Sequence, residues 1–343
     1  MTATLKSDIW DQEHLDRCLG KVLVPTDPLY GPAMSVIRRC NTMAGAMSTM
    51  ARVRLVIIGL RDNGVDPLHA TRDNIQDWLA STRGRLSPET LDGYLGAARA
   101  LYEEAIEADL ISRNPTRRLR VGRHKPPRVP ALTLDDVTKM LNAIDAELGD
   151  PKLGLVAARD RFIFTLGVGM GPRASEMLRL TAGDFRVEGE PPVAHIFGKN
   201  RQHELKRAPV VIIEAYHRYV AALEAEIHRP LDPDDALLIP LSHSGAKLLR
   251  DDPSRRLEPM SRAALYSICR NRLRDIGLTG IKLGSHRLRK TAATLMWQAK
   301  VDPREISRTL SHADISTTFR NYIAPAEELA TAAGDMVAWQ RPE

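Results

Sequence analysis

Residues 285–322 read SHRLRKTAATLMWQAKVDPREISRTLSHADISTTFRNY, and this stretch decides how the rest of the chain is read. Ser285 is a suitable cap for a helix whose apolar face is Leu288, Ala292, Leu295 and Met296. His286 and Arg289 lie three apart and share its first turn. Asp302, Pro303 and Glu305 spell the start of a second helix: a cap, a first-turn proline and a capping-box acid. That helix runs to near Leu310, and His312 follows. Ser316, Thr317 and Thr318 can cap a third helix that carries Tyr322. A phenol, a permanently charged guanidinium and two imidazoles are the parts a tyrosine nucleophile needs to attack a bound phosphate. Arginine neutralises the phosphate with a planar fork, and histidine moves protons near neutral pH. Singly, each residue is ordinary, since such His and Arg usually sit at the surface and most Tyr pack. Their weight depends on what the remaining chain supplies.

The chain has 343 residues, enough for two domains, and a formal charge of +6. A modest positive charge is compatible with nucleic acid but discriminates poorly. Its distribution says more. Seven Lys or Arg and no acid lie between Arg113 and Thr133. Cys18, Cys40 and Cys269 are scattered, which excludes a disulfide framework or a zinc-site spacing and fits a reducing cytoplasm. The first residues carry acids and no apolar core, unlike a signal peptide, and no apolar run is long enough to span a membrane.

Residues 1–33 read as a leader, a short helix around Ile9–Leu19 followed by the irregular run VPTDPLYGP. From Met34 to Leu119 the pattern is helical. Segments are expected at Ala46–Leu60, Thr71–Ser81 and from Ser87–Pro88, where Leu91, Tyr94, Leu95, Ala98, Leu101, Tyr102, Ala105 and Ile106 define one buried face. Trp78, Tyr94 and Tyr102 fit a core better than a base-stacking surface. Arg117 to Pro130, RRLRVGRHKPPRVP, is a basic linker suited to following phosphates. Thr133 and Asp136 form a capping box that opens a second domain, and Arg159–Val168 is a central apolar helix. The turn Gly167–Pro172 presents Arg173, with Glu176 close enough to orient it. A β-hairpin is expected from Val193–Phe197 and Ala208–Ile213, with GKNRQHELK as its polar turn. Helices follow at Glu214–Ile227 and Arg262–Ile276.

In chain order, Arg173, Lys199, His286-x-x-Arg289, His312 and Tyr322 resemble the tyrosine recombinases, the phage integrase family. GMGPRASEMLRL is similar to the family's TGLRxSELLxL box, and FGKNRQHELKRAPV to its hairpin motif GKGxKxRxVP. The latter points to Lys199, with Lys206, past the turn, as the alternative. SHRLRKTAATLM resembles HxLRHTxAT, and LSHADISTTFRNY resembles LGHSSIxTTxxY. The helical stretch ending in Asn114-Pro115 is similar to the family's core-binding domain. This chain has Pro172 where the family has Leu, Ser311 where it has Gly, and one more residue than usual between His312 and Tyr322. No other Tyr follows Tyr266, so Tyr322 is the nucleophile the resemblance indicates.

The resemblance implies a mainly α fold: a leader (1–33), a helical core-binding domain (34–119), a basic linker (120–132) and a mixed α/β catalytic domain (133–325), mostly α with a small hairpin sheet. A C-terminal helix (326–343) would dock on a neighbouring subunit. It implies a site-specific recombinase in which Arg173 and Arg289 clamp the scissile phosphate, oriented by Glu176. Tyr322 forms a 3′-phosphotyrosyl bond, Lys199 protonates the leaving 5′-oxygen, His286 assists proton transfer and His312 hydrogen-bonds the phosphate. The covalent bond stores the phosphodiester energy, so no cofactor and no metal are implied. The partners implied are double-stranded DNA, three further copies of the chain on two recombination sites, and an accessory DNA-bending or regulatory protein. Strands would exchange through a Holliday junction. Arg117, Arg118, Arg120, Arg123, Lys125, Arg128 and Arg201 are the candidate DNA contacts. Competing readings are a type IB topoisomerase-like relaxing enzyme and a catalytically silent DNA-binding regulator with the same fold.

Overall fold

The computed structural model describes residues 18–40, 42–82, 84–122, 130–187, 191–197, 203–241, 255–280 and 282–311. The chain divides into two compact units, 1–127 and 128–343, with the division inside the basic segment. No described helix is long and apolar enough to cross a membrane.

The first unit is helical: α1 Tyr30–Arg38, α2 Met43–Asp62, α3 Arg72–Thr82 and α4 Pro88–Glu107. Local chemistry starts these helices. The Thr42 hydroxyl accepts from the Gly45 amide at 3.1 Å, and Ser87 accepts from Thr90 with Pro88 in the first turn. The expected face of α4 is buried except at Tyr94 and Ile106, which are half-buried, and the Tyr102 hydroxyl donates to the Pro67 carbonyl at 2.7 Å. Trp78 is buried and stacks near Tyr94, so both belong to the packing of this unit. The run VPTDPLYGP is irregular as far as Leu29, and its last three residues open α1. Leu19, Leu23 and Leu29 are buried against α1, α2 and α4. Asn114 closes the unit: its side-chain oxygen accepts from the Thr116 amide and hydroxyl, and its amide donates to the Arg99 carbonyl.

The second unit is mostly α. Its helices are α5 Leu134–Asp145, α6 Gly154–Gly169, α7 Ala174–Met177, α8 Val210–Ile227, α9 Arg262–Asp275, α10 Ser285–Gln298 and α11 Pro303–Thr309. The capping box of Thr133 and Asp136 starts α5. Helix α6 is buried around its circumference, with Phe162, Ile163, Phe164 and Leu166 inaccessible, so it is the post on which the other helices lean. Helix α8 packs on it, and the Phe162 ring meets Tyr216 and Tyr219.

A three-stranded antiparallel sheet, ordered β1-β2-β3, consists of β1 Phe185–Arg186, β2 Val193–Phe197 and β3 His203–Arg207. Here the structure corrects the sequence reading. The second hairpin strand is His203–Arg207, not Ala208–Ile213, and α8 begins at Val210, four residues before the expected start. The register explains it: Phe197 pairs with His203 and Val193 with Arg207, so the ladder is complete before Ala208. Pro209 then stands at the cap of α8, and Ile212 is buried against the core while Val210 and Val211 are exposed. Tertiary packing here overrides the β preference of a Val-Val-Ile-Ile run.

A second correction concerns α10. Gly284, not Ser285, occupies the cap position, and Ser285 is the first helical residue. Gly284 lies against the Tyr266 ring so closely that a Cβ would come within 2.6 Å of it, so a larger residue there would have to push the exposed ring aside.

Helix α9 is fastened by a buried ionic network. Arg272 donates two hydrogen bonds to Glu147, at 2.6 and 2.7 Å, and one to Asp160 at 2.8 Å, while Arg159 donates to the other oxygen of Asp160. Removing Arg272 would strand the Asp160 carboxylate, 4 % exposed, with one partner fewer. Arg272→Ala is therefore expected to weaken the second unit by about 3 kcal/mol, read as an earlier urea midpoint for its unfolding transition.

Candidate active site

The Gly/Pro turn after α6 positions the first arginine. Gly171 has a positive φ of 61°, and a Cβ there would lie 2.7 Å from Leu310 and 3.1 Å from Ala292. Both the backbone conformation and the space require glycine. The chain then enters α7, where the Glu176 carboxylate accepts from the Arg173 amide at 2.7 Å and from its guanidinium Nη1 at 2.6 Å. Glu176 is 3 % exposed, whereas the Arg173 side chain is 38 % exposed. The carboxylate is thus the buried brace and the guanidinium the accessible end.

Arg289 comes from the first turns of α10 and is buried. Its Nη1 donates to the Gly171 carbonyl at 2.7 Å, its Nη2 donates to the Leu310 carbonyl, and Nη1 stands 4.0 Å from Glu176. Glu176 is therefore shared by two guanidiniums, one on each of its oxygens.

Both arginines meet at the end of α11. Helix termini leave their last carbonyls without helical partners, and the dipole makes that end attractive to cations. The Leu310 carbonyl takes Arg289, and the Ser311 carbonyl takes Nη2 of Arg173 at 3.1 Å. Lys206 of β3 donates to the Thr309 carbonyl at 2.5 Å and to the Ser311 hydroxyl at 2.6 Å. Three successive carbonyls are held by three cationic side chains from three different parts of the chain. Ser311, the residue standing in the family's glycine position, has a φ of 52°, the left-handed conformation that explains a glycine there.

His286 stands at the exposed start of α10. Partial burial of its ring depresses the imidazole pKa below its ordinary value of 6.5, and the charges of Arg289, Lys282, Lys290 and Arg173 push the same way. The shift favours the neutral imidazole, which can accept a proton or a hydrogen bond. Lys282 and Lys290, which flank the His-x-x-Arg motif, are members of the positive cluster that the sequence reading passed over. Their signal was the charge density around the motif, not any spacing.

The structure thus brings Arg173, Glu176, His286 and Arg289 together. Lys199, His312, Tyr322, Arg123, Lys125, Arg128 and Arg201 lie outside the described residues. Arg117, Arg118 and Arg120 are exposed at the end of the first unit.

This arrangement suits an anionic group: two guanidiniums braced from behind, a neutral imidazole beside them and further lysines around. The comparisons agree with it. The model of the phage integrase family matches residues 130–328. The tyrosine recombinase XerC of Caldanaerobacter subterraneus subsp. tengcongensis is 29 % identical over 213 residues, 62 % of this chain and 52 % of that protein, so the chain spans about half the length of that relative. Among solved structures, the XerH site-specific recombinase in a post-cleavage complex with a palindromic difH substrate has the same fold. Its TM-score is 0.66 at 20 % identity, covering 94 % of this chain and 88 % of that one. A lambda integrase tetramer bound to a Holliday junction gives 0.62 at 15 % identity, covering 89 % and 79 %. A family model that spans more than half of the chain, laid over a site of two braced arginines and a neutral histidine, establishes that this chain belongs to the phage integrase family, the tyrosine recombinases.

Proposed function

We propose that this tyrosine recombinase breaks and rejoins duplex DNA at specific sites through a covalent tyrosyl intermediate. One observation carries the reading. Arg173 and Arg289 come from distant parts of the chain, yet both close on the α11 turn with Glu176 between them. Such a pair is built to take the non-bridging oxygens of one phosphate and the extra charge of its pentavalent transition state. The Tyr322 oxygen attacks phosphorus, and the bond from phosphorus to the 5′-oxygen breaks. The 3′-phosphate stays on the tyrosine, and the 5′-oxygen leaves as a hydroxyl with a proton from Lys199. Neutral His286 takes up the phenolic proton, and His312 donates to the phosphate. Attack by the 5′-hydroxyl of another strand reverses the step and rejoins the chain.

The linker residues Arg117, Arg118, Arg120, Arg123, Lys125 and Arg128, with Arg201 of the hairpin turn, contact phosphates. Four copies on two sites exchange strands in pairs through a Holliday junction, each C-terminal helix docking on a neighbour, in the cytoplasm and with an accessory DNA-bending protein where the site requires one. The lambda integrase tetramer on such a junction supports this assembly by fold.

Denaturing electrophoresis tests the chemistry. The full chain incubated with a nicked duplex, built on the sequence it selects from a random pool, is expected to give a covalent adduct. Tyr322→Phe should give none, and Arg173→Ala should slow adduct formation at least about 100-fold. Binding without any adduct from the unaltered chain would overturn the reading.

The His286 shift sets the pH profile. Because its pKa is lowered, the neutral form persists through the ordinary histidine range, and activity falls only when the pH drops below it. Under limiting DNA, which reports ionisation of the free protein, the acid limb should therefore lie below pH 6.5. His286→Asn should remove that limb and lower the rate by about 100-fold.

Salt dependence tests the linker. Replacing Arg117, Arg118 and Arg120 by Gln should flatten the slope of log affinity against log salt by about 0.9 for each phosphate that is no longer neutralised.

A further inference from the structure

Strand β3 inverts the pattern expected of an edge strand. Lys206 pairs with Ala194, and residues directly opposite in an antiparallel ladder share a face. That face is the buried one, since Ala194 and Ile196 are inaccessible, while Leu205 on the other face is 60 % exposed. A leucine thus points outward and an ammonium inward. An inward ammonium is tolerated only where acceptors meet it. Here they are the Thr309 carbonyl at 2.5 Å and the Ser311 hydroxyl at 2.6 Å, both at the end of α11. The same turn holds Arg289 through Leu310 and Arg173 through the Ser311 carbonyl. Ser311 has the left-handed backbone, φ 52°, that a side-chain-bearing residue rarely adopts. Lys206 on its hydroxyl and Arg173 on its carbonyl fix it in that conformation.

We propose that Lys206 is a positioning residue for strand cleavage. It ties the edge strand β3 to the turn 309–311, so that the hairpin, the two arginines and the backbone leading into residue 312 are held as one unit. The inference rests on the cleavage chemistry proposed above. It separates Lys206 from the proton donor. A general acid must reach the leaving oxygen, whereas this ammonium is engaged at a helix end.

The test uses the full chain and the nicked duplex described above, with oxygen or with sulfur at the bridging 5′ position of the scissile phosphate. A sulfur leaving group needs no proton, so it rescues the loss of a general acid but not the loss of positioning. Lys206→Met is expected to slow adduct formation at saturating duplex by about 10- to 100-fold, equally for both substrates, with duplex affinity within about threefold of the original. Lys206→Arg, which keeps donors at that place, should recover part of the rate. Ser311→Ala removes the same bond from the other side and should reproduce part of the loss. It decides the matter if Lys206→Met fails to fold, as judged by its melting profile. An unchanged rate, rescue by sulfur, or a loss confined to duplex affinity would each overturn the proposal. Absence of an adduct from the unaltered chain would instead overturn the cleavage reading on which it rests.

Discussion

The proposed chemistry needs two like charges held side by side before a phosphate arrives, and the second unit holds Arg173 and Arg289 in that way. Arg173 and Arg289 repel one another, and burial strengthens the repulsion. Glu176 offsets it. Its carboxylate is itself buried, which would be costly alone, but it is satisfied by the Arg173 guanidinium and amide and lies 4.0 Å from Arg289. The carbonyls of Gly171, Leu310 and Ser311 take further donors of the pair. The guanidiniums are thereby oriented in advance, so little reorganisation is left for the moment of reaction.

The packing that sets their positions lies beneath. Helix α10 approaches α6 so closely that a Cβ on Gly167 would fall 2.7 Å from Leu288. Gly171 is confined in the same way between Leu310 and Ala292. Close packing of Leu288, Ala292 and Leu310 on these two glycines brings the turn before α7, the start of α10 and the end of α11 to one place. Movement of α6 would shift both arginines together, and α6 is held on all sides by aromatic and aliphatic side chains. The geometry of the site is therefore inherited from the buried core behind it.

Much of this was legible in the sequence wherever the signal was local. Ser87-Pro88, Thr133 with Asp136, and Asp302-Pro303 each announce a helix start by their own chemistry, and the helices begin there. Arg173 with Glu176 was legible because three residues on a turn must face each other. What escaped was non-local. The second strand was placed too late because β propensity favoured Val210–Ile213, while the register was set by the complete pairing of Val193–Phe197. The cap of α10 was assigned to Ser285 because nothing in the sequence tells that Tyr266 lies against Gly284. Lys206 could be weighed as a hairpin residue, but its inward orientation follows only from the register. Ser311 was visible as a departure from the family's glycine, and its left-handed backbone gives that departure a physical meaning.

Leu19, Leu23 and Leu29 carry a consequence for anyone dissecting the molecule. They are inaccessible and pack with Val36, Ile37, Leu101 and Ala105. A fragment begun at residue 34 would leave their places on α1, α2 and α4 open to water, and the bare apolar surface would invite self-association. The first unit has to be cut upstream of Leu19 if it is to be handled alone.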